Sequence, residues 1–537
     1  MTTTTIDATV YRSALPAPPV EPSVAVAALR HAAGDPQAPA VIDGATGETL
    51  TRGELAARSA ALAAGLRARG LGQGDLVALA MPNLAWWPVI ALGVWRAGAA
   101  VESLSPLWTA QESARVIATA PPGAAFAFGP MAPALRAALG EAAPLADLFV
   151  IGAATDGTIP IDALLAAEPA DPYEEPDLAP DQLAVVPFSS GTGGLPKGIR
   201  LTHGNLAAAG AQANTCLGAG APVDGDAVVL AGAPFFHSVG LALMLCGPLL
   251  AGATIVTVPR PELGAMLELA AAHRVTHMSA PPPVFEALAD DPRVDEHDLS
   301  SMQVIVTGGA HLASGCEARI SERIGCMARQ GYGMTEATCT ISAPLQRPST
   351  PGTVGWPAPG TELRVVDPVT GADVEPGAAG ELLVRGPQVM QGYHELPEAT
   401  AAIIGPDGWL RTGDLVAIRD DGQLEIRDRL KELIKVKGAS VAPAEIELVL
   451  REHPAVRDAC VVGVADAARG EAPIGYVALD VPAEPEELLA FVAGRLAGYK
   501  CPREIVVVDE LPRLPTGKLL RRALRGATPP ARPAARR

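Results

Sequence analysis

The sequence predicts an α/β protein with two domains. Helical patterns alternate with short, continuous apolar runs through much of the chain, which is typical of parallel sheets covered on both faces. Beyond Pro351 the predicted strands are shorter and glycine and proline separate them, which favours a small barrel. The last part, of about 110 residues, mixes helices and strands. We therefore expect a large N-terminal domain of parallel αβ sheets plus a small barrel, and a small α+β C-terminal domain.

Alternating elements are predicted from residue 54 onward. Leu55, Leu62 and Leu66 have the spacing of an amphipathic helix over 54–69, which Gly70 ends. A strand at 75–80, a helix at 86–94 and a strand at 100–104 follow. Residues 1 to about 20 show little periodicity, so we expect an unpacked arm there.

A second alternating region follows residue 202. Strands are predicted at 227–231, 253–258, near 277 and at 303–307, and helices from about 239 and over 263–269. In open parallel sheets ligands bind at the carboxyl ends of the strands. We therefore expect the functional site at that edge.

The elements beyond residue 351 are predicted to build the barrel and the small domain. Strands are expected at 362–366, 380–385 and 422–426, and then at 459–464, 474–479 and 505–508; helices are expected at 443–450 and 486–496. The charged stretch 428–437 is the predicted junction, which gives domains at 1–428 and 429–537.

Composition excludes some classes of partner. The chain has 41 Lys and Arg against 59 Asp and Glu, and its formal net charge of −18 argues against a nucleic-acid-binding surface. Residues 239–258 carry no charge, but Gly247-Pro248 and Gly252 interrupt them, so we predict no membrane span. Seven cysteines without metal-ligand spacing favour a reduced cytoplasmic compartment.

The loop FSSGTGGLPKG, residues 188–198, follows the apolar run 183–187 and is predicted to join a buried strand to a helix. Its glycines let the backbone approach an anion, its hydroxyls can donate to phosphate oxygens, and Lys197 adds a positive charge. The predicted phosphate-binding residues are Ser189, Ser190, Gly191, Thr192, Gly193, Gly194 and Lys197. Lys197 lies between proline and glycine, so this is not a Walker loop. A surface loop without a ligand is the alternative.

Together with four later stretches, this loop resembles the adenylate-forming superfamily of acyl- and aryl-CoA synthetases, luciferases and nonribosomal peptide adenylation domains. The later stretches are GYGMTE at 331–336, GWLRTGD at 408–414, DRLKELIK at 428–435 and PTGK at 515–518. The closest resemblance is to 4-coumarate-CoA-ligase-like enzymes. It implies that the small domain is mobile, with a hinge near Lys431.

The resemblance implies a two-step reaction that uses ATP, Mg²⁺ and CoA. A carboxylic acid first attacks the α-phosphate of ATP and releases pyrophosphate, and CoA then takes the acyl group. Positioning and charge stabilisation would carry the first step. One alternative keeps adenylation but changes the acid or acceptor, as in a carrier-protein loader or a diazotase that activates nitrite for an arylamine. Another is a non-catalytic nucleotide-binding protein.

The resemblance also implies roles for individual residues. Thr335 would touch the α-phosphate, Glu336 would hold Mg²⁺, and Lys518 would bridge acid and phosphate oxygens during adenylation. Tyr332 would stack on adenine, Asp414 and Arg429 would contact the ribose, and Gln330 and Gly331 are further implied nucleotide contacts. Lys435, Lys437 and Gly438 would contact adenylate or CoA, and Arg260 would contact the CoA phosphates. Without the resemblance, Lys431, Lys435 and Lys437 would predict only a charged, solvent-exposed surface.

His237 is either an ordinary core histidine or, as the resemblance implies, part of an acid pocket. Its other members would be Val239, Leu243, Gly308, Gly309, Gly331 and Thr338. Val239 and Leu243 stand where coumarate ligases commonly carry a tyrosine and a small polar residue, so an apolar arylacrylic or medium-length acid is the expected substrate. Two more departures are Gly193, which removes a hydroxyl from the phosphate loop, and Ser440, which replaces a glutamine used in catalysis.

Overall fold

The structure is a computed structural model of the 537-residue chain. It describes residues 4–7, 9–17, 21–143, 146–166, 177–189, 196–217, 222–309, 312, 315–345, 349–436, 439–466, 470–513 and 519–525. The chain divides into two compact units. Unit 1 comprises residues 1–309, 315–363 and 384–410, and unit 2 comprises residues 310–314, 364–383 and 411–537.

Short strands make up much of the described chain. In chain order they are β1 (Thr4–Asp7), β2 (Val10–Ser13), β3 (Pro39–Ile42), β4 (Thr49–Thr51), β5 (Leu76–Ala80), β6 (Ala100–Ser103), β7 (Ala124–Phe128), β8 (Asp147–Ile151), β9 (Ile159–Pro160), β10 (Leu183–Ser189), β11 (Lys197–Thr202), β12 (Val228–Ala231), β13 (Thr254–Thr257), β14 (His277–Ser279), β15 (Val304–Gly308), β16 (Met327–Met334), β17 (Cys339–Ala343), β18 (Trp356–Pro357), β19 (Glu362–Val366), β20 (Gly380–Arg385), β21 (Gly392–Tyr393), β22 (Leu410–Ile418), β23 (Leu424–Arg429), β24 (Ile434–Val436), β25 (Ala439–Val441), β26 (Val456–Asp466), β27 (Gly470–Leu479) and β28 (Glu504–Val507).

The helices alternate with these strands. They are α1 (Val24–Gly34), α2 (Arg52–Arg67), α3 (Trp86–Ala97), α4 (Ala110–Ile117), α5 (Ala132–Ala142), α6 (Ile161–Leu165), α7 (His203–Leu217), α8 (Gly247–Ala251), α9 (Leu263–Ala272), α10 (Pro282–Asp290), α11 (Cys316–Ile324), α12 (Pro397–Ala401), α13 (Pro443–Arg451), α14 (Pro485–Ala493) and α15 (Arg521–Arg525). A π-helix, Gly240–Cys246, precedes α8.

Two large sheets organise unit 1. The first has the order β21-β11-β10-β6-β5-β7-β8-β9, and its strands from β10 to β9 are parallel. The second has the order β18-β17-β16-β15-β14-β12-β13-β3-β4, with parallel pairing from β16 through β3. All five residues of β5 are buried, as expected of a strand covered on both faces.

Helices α2 and α3 show how local sequence fixes the packing. Thr51 and Glu54 form a reciprocal capping box at the start of α2. In α3, Gly93 lies against the buried Leu62 of α2, and a Cβ atom at residue 93 would come within 2.5 Å of a Leu62 methyl carbon. The absence of a side chain at Gly93 therefore permits the close approach of the two helices.

Unit 2 contains two groups of strands. Most of β19, β20 and β22 and all of β23 belong to unit 2, and these strands are neighbours in one sheet, the half-barrel. The second sheet has the order β25-β24-β27-β26, and β28 pairs with β27 in parallel. Helices α13 and α14 contribute Ile446, Leu450 and Leu488 to the core of this second sheet.

The predicted α/β class is confirmed, with parallel sheets, a half-barrel and a small α+β part. The expected arm is wrong for the described residues, because β1 pairs with β2 and Tyr11 is buried opposite Leu363. No described helix is long and apolar enough to cross a membrane. The boundary at residue 428 and the hinge near Lys431 stay predictions.

Candidate functional site

The predicted phosphate loop begins and ends in a β-hairpin of unit 1. Strand β10 lies parallel to β6 and antiparallel to β11, and Ser189 is the register partner of Lys197. The loop was expected to join a strand directly to a helix. That expectation is wrong, because β11 intervenes and α7 begins only at His203. Ser190, Gly191, Thr192, Gly193 and Gly194 lie outside the described residues.

Lys197 and Glu336 contact the same aromatic side chain. The Lys197 ammonium lies 4.6 Å from the centroid of the Tyr393 ring. The Tyr393 hydroxyl donates a hydrogen bond of 3.0 Å to Glu336 Oε1. Burial, and next the charge of Glu336, raise the pKa of Tyr393. The structure therefore places a predicted phosphate-binding cation and a predicted metal-binding carboxylate in contact with the same side chain, that of Tyr393.

Glu336 and Thr335 lie in a single 3-10 turn, Thr335–Ala337, directly after β16. The carbonyl oxygen of Glu336 accepts a hydrogen bond of 2.9 Å from the backbone of Met390. A Cβ atom on Gly333 would lie 1.3 Å from the Cys339 carbonyl oxygen, so the tight β16–β17 hairpin requires glycine there. The hairpin thus places the turn at the carboxyl end of a parallel strand.

The other predicted nucleotide residues on β16 are half-buried. Gln330 is the register partner of Thr307, and its backbone N–H donates a hydrogen bond of 2.8 Å to the Glu317 carboxylate. Burial raises the pKa of Glu317. Tyr332 lies two residues further along, opposite Ser342 of β17. The strand therefore carries these side chains to the same edge as Glu336.

The predicted acid-pocket residues fall into two contacting groups. Gly308 and Gly331 are partners on adjacent strands, and a Cβ atom on Gly308 would lie 2.9 Å from the Gly331 carbonyl oxygen. Gly309, which follows β15, has φ +85. Val239, which directly precedes the π-helix, and Leu243, which lies within it, pack with Cys339. A π-helix widens the helical turn and is frequent at functional sites.

Thr338 is fully buried and has a φ of 46, the left-handed region. Its hydroxyl donates a hydrogen bond of 2.6 Å to the carbonyl oxygen of Gln388. This predicted pocket residue is therefore held by segment 387–393 through its polar atom. A non-glycine residue in the left-handed region is strained, and such residues cluster at functional sites.

His237 and Arg260 follow neighbouring parallel strands. His237 comes after β12, and its ring packs against that of Phe236 with the ring centroids 4.6 Å apart and the planes tilted by 38°. Burial lowers the pKa of His237 to about 4, so the imidazole is neutral at neutral pH. Arg260 comes after β13 and is exposed. Because β12 and β13 are parallel partners, both residues lie at the carboxyl edge of the second sheet.

In unit 2 the structure brings Asp414 and Arg429 together. They are register partners across the β22–β23 hairpin, and Arg429 Nε lies 3.0 Å from Asp414 Oδ1. Lys431 is exposed in the following 3-10 turn, and Lys435 is exposed on β24. Lys437, Gly438 and Lys518 lie outside the described residues.

Sequence reasoning missed Tyr393 and Gln388. The hydrogen-bonded partners Tyr393 and Glu336 are 57 residues apart, and no motif links them. Gln388 is fully buried and donates to Thr361 Oγ1 at 2.7 Å. Gln388 follows a Gly-Pro pair, a sequence typical of exposed turns, so the neighbouring residues do not indicate that its side chain is buried.

The donor chemistry fits a magnesium nucleotide. Mg²⁺ prefers hard oxygen ligands and commonly takes one or two carboxylates together with substrate phosphates. Glu336 offers such a carboxylate, and Lys197 offers positive charge for phosphate oxygens near the same ring. The two groups therefore suit a metal ion that arrives with a triphosphate.

Comparison with known proteins agrees with this chemistry. The family model of the AMP-binding enzyme matches residues 29–394, and that of the AMP-binding enzyme C-terminal domain matches residues 445–518. The 4-coumarate–CoA ligase 3 of Oryza sativa subsp. japonica is 36% identical over 495 residues, which cover 91% of this chain and 89% of that protein.

Solved structures are also similar to this chain. A benzoate CoA ligase from Burkholderia xenovorans LB400 superposes with a TM-score of 0.84 at 28% identity, covering 94% of this chain and 99% of that chain. The amide bond synthetase McbA from Marinactinospora thermotolerans superposes with a TM-score of 0.82 at 30% identity, with the same coverage of 94% and 99%. The chain therefore belongs to the AMP-binding enzyme family and is an AMP-forming enzyme of the acid–CoA ligase type.

Proposed function

We propose that this enzyme adenylates an apolar aryl or cinnamate-like carboxylic acid with Mg-ATP and transfers the acyl group to CoA. The observation that carries the proposal is the convergence of Glu336 and Lys197 on Tyr393. A carboxylate for a metal ion and an ammonium for phosphates, at the carboxyl edge of parallel strands, match the needs of a bound triphosphate.

The first step joins acid to nucleotide. A carboxylate oxygen of the acid attacks the α-phosphorus of ATP, the bond from that phosphorus to the bridging oxygen breaks, and pyrophosphate leaves. Lys197 would stabilise the phosphate charge, Thr335 would contact the α-phosphate, and Glu336 would hold Mg²⁺. Mg²⁺, when bound, would offset negative charge on the phosphates. Lys518 stays the predicted bridge between acid and phosphate oxygens.

The second step transfers the acyl group. The sulfur of CoA attacks the carbonyl carbon of the adenylate, the thiol loses its proton, and AMP leaves. Arg260 is exposed at the sheet edge, which supports a role at the phosphates of CoA. Lys435 and Lys437 remain proposed contacts for adenylate or CoA.

The proposed acid is apolar because the side chains assigned to its pocket are apolar or uncharged. Val239 and Leu243 pack in an aliphatic cluster, and His237 is neutral because burial lowers its pKa to about 4. The hydroxyl of Thr338 already bonds to Gln388. Gly308, Gly309 and Gly331 would leave room for a flat ring. The named substrates of the coumarate and benzoate ligases support an aryl acid.

An amine acceptor is the second candidate. The likeness to an amide bond synthetase at 30% identity favours it, since that enzyme's name describes transfer to nitrogen. Adenylation would be unchanged, and an amine would attack the carbonyl carbon in place of the CoA sulfur.

The seven cysteines are free, which supports the prediction of a reducing, cytoplasmic location.

Acid-dependent pyrophosphate release tests the proposal. The panel would contain cinnamates, benzoates, straight-chain acids and nitrite, each with CoA, an arylamine or neither. We expect release with aryl acids, and thioester formation when CoA is added. Amide formation in preference to thioester would support the second candidate and overturn CoA as acceptor. Turnover with nitrite plus an aminoaryl acid, or no release with any acid, would overturn the proposed reaction.

A further inference from the structure

Tyr393 contacts the two charged groups that the proposed function assigns to Mg-ATP. Its hydroxyl bonds to Glu336, and its ring contacts the ammonium of Lys197. We infer that Tyr393 is a positioning residue that orients Glu336 for the metal ion and keeps Lys197 beside it. This inference rests on the proposed function, because the orientation of both groups matters only for a metal–nucleotide complex.

The backbone around Tyr393 is fixed by contacts with three other parts of unit 1. We call residues 387–393 the crossing segment. The side-chain Nδ2 of Asn205, on α7, donates to the carbonyl oxygens of Pro387 and Val389 at 2.7 and 2.9 Å. The Met390 N–H donates to the Glu336 carbonyl oxygen at 2.9 Å. The crossing segment is therefore tied both to α7 and to the turn that carries Glu336.

The end of the crossing segment is tied to the phosphate-loop hairpin. Strand β21 pairs with β11, so that Tyr393 is the register partner of Ile199, two residues after Lys197. The Tyr393 N–H donates to Thr400 Oγ1 at 2.8 Å. Gly392 has a φ of 149, and a Cβ atom there would lie 2.6 Å from a Thr400 methyl carbon. The ring of Tyr393 is thus set by backbone contacts on both sides.

The hydrogen bond between Tyr393 and Glu336 has a defined donor and acceptor. A carboxylate only accepts, so the phenol is the donor and Glu336 Oε1 the acceptor. The bond fixes the orientation of the carboxylate, and Oε2 is then presented in one direction to a cation.

The ring acts on Lys197 in a different way. The face of an aromatic ring attracts an ammonium within about 6 Å of its centroid. The contact is weaker than an ion pair and does not consume the charge of Lys197. The ammonium is therefore kept at the ring whose hydroxyl holds the carboxylate, and its charge stays available to phosphate oxygens.

Two substitutions separate the roles of the hydroxyl and the ring. Tyr393→Phe removes the donor and keeps the ring, whereas Tyr393→Leu removes both. In Tyr393→Phe we expect the Mg²⁺-dependent gain in ATP affinity to fall about tenfold or more, with metal-free ATP affinity unchanged. In Tyr393→Leu we expect metal-free ATP affinity to fall as well, because Lys197 loses its aromatic contact.

Calorimetric titration of ATP with and without Mg²⁺ measures these changes without turnover. Tyr476→Phe is the matched control, since Tyr476 is also buried and donates from its hydroxyl, to Leu524 at 3.2 Å in unit 2. We expect this control to bind ATP like the parent. Thermal melts of each variant would report any loss of folding separately from binding.

A double-mutant cycle between Tyr393→Phe and Glu336→Gln gives a second readout. We expect the two losses of Mg²⁺-dependent affinity to be non-additive, because the hydroxyl acts through the carboxylate. Additive losses, or parental Mg²⁺ dependence in Tyr393→Phe, would overturn the inference while leaving the proposed function intact. A parent enzyme without acid-dependent pyrophosphate release would instead overturn the proposed function.

Discussion

Asp414 and Arg429 face each other across the β22–β23 hairpin, with Arg429 Nε 3.0 Å from Asp414 Oδ1. The Asp414 side chain is 2% exposed and that of Arg429 is 35% exposed. The backbone N–H of Asp414 donates to Thr412 Oγ1 at 3.1 Å across Gly413, which lies within β22 and has a φ of 69. A buried carboxylate with a partly exposed cation beside it is suited to accept hydrogen bonds from a diol.

Asp414→Asn should weaken ATP binding. Asparagine keeps the shape but loses the charge, and hydrogen bonds to charged groups contribute about 1.5–3 kcal/mol. We expect the KM for ATP to rise about tenfold or more, with the KM for the acid unchanged. Pyrophosphate release at varied ATP measures both. Asp421→Asn, in the exposed turn of the same hairpin, is the control. An unchanged KM for ATP in Asp414→Asn would contradict a ribose contact.

Lys518→Ala should slow adenylation selectively. Removing a charge that stabilises the transition state should reduce acid-dependent pyrophosphate release by about 10²-fold or more. The thioester step, started from synthetic adenylate and CoA, should change far less. Arg525→Ala removes a cation from the same C-terminal stretch, where it pairs with Glu432 at 2.6 Å, and serves as the control. Adenylation at the parental rate in Lys518→Ala would exclude this role.

Glu102→Gln should make the protein more stable than the parent, by a margin that grows as pH rises. Glu102 is fully buried on β6, and neither carboxylate oxygen has a hydrogen-bond partner among the described residues. Burial raises its pKa well above the ordinary value of 4.5. The folded state then holds a proton that the unfolded state releases, so the free energy of unfolding falls as pH rises above that ordinary value, by up to about 1.4 kcal/mol per pH unit.

Glutamine does not ionise and removes this slope. We expect the melting temperature of Glu102→Gln to match the parent at about pH 4 and to exceed it increasingly from about pH 5 to about pH 8. Glu141→Gln, at an exposed position on α5, should show no such trend. A constant difference between Glu102→Gln and the parent across this range would show that Glu102 is ionised in the folded protein.

The ion pair between the buried Glu447 and the partly buried Arg521 should be sensitive to loss of one partner. Arg521 Nη2 lies 3.0 Å from Glu447 Oε2, and the Val461 N–H donates to Glu447 Oε1 at 2.7 Å. Glu447→Leu or Arg521→Met alone leaves a buried charge without its partner, which costs about 3–5 kcal/mol. We expect the double variant to be more stable than the sum of the single losses implies. Denaturant unfolding monitored in unit 2 tests this, and additive losses would contradict coupling.

Local sequence was sufficient to locate the elements that it predicted. Strands β19 and β20 have the predicted bounds, Glu362–Val366 and Gly380–Arg385, and the helix predicted at 54–69 is α2, Arg52–Arg67. These predictions succeed because periodicity, caps and glycine or proline breaks are properties of neighbouring residues. The order of five motifs also predicted the family before any contact was known.

Only the tertiary structure decided which distant side chains meet. Nothing near Tyr393 in sequence indicates its bond to Glu336, because that contact requires β21 to pair with β11 and the crossing segment to reach β16. The strands that flank the phosphate loop proved to pair as a hairpin, and Glu102 proved to be buried with no hydrogen-bond partner among the described residues, for the same reason. Strand pairing and burial depend on the whole packed core, whereas short stretches of sequence determine the motifs, helices and strands.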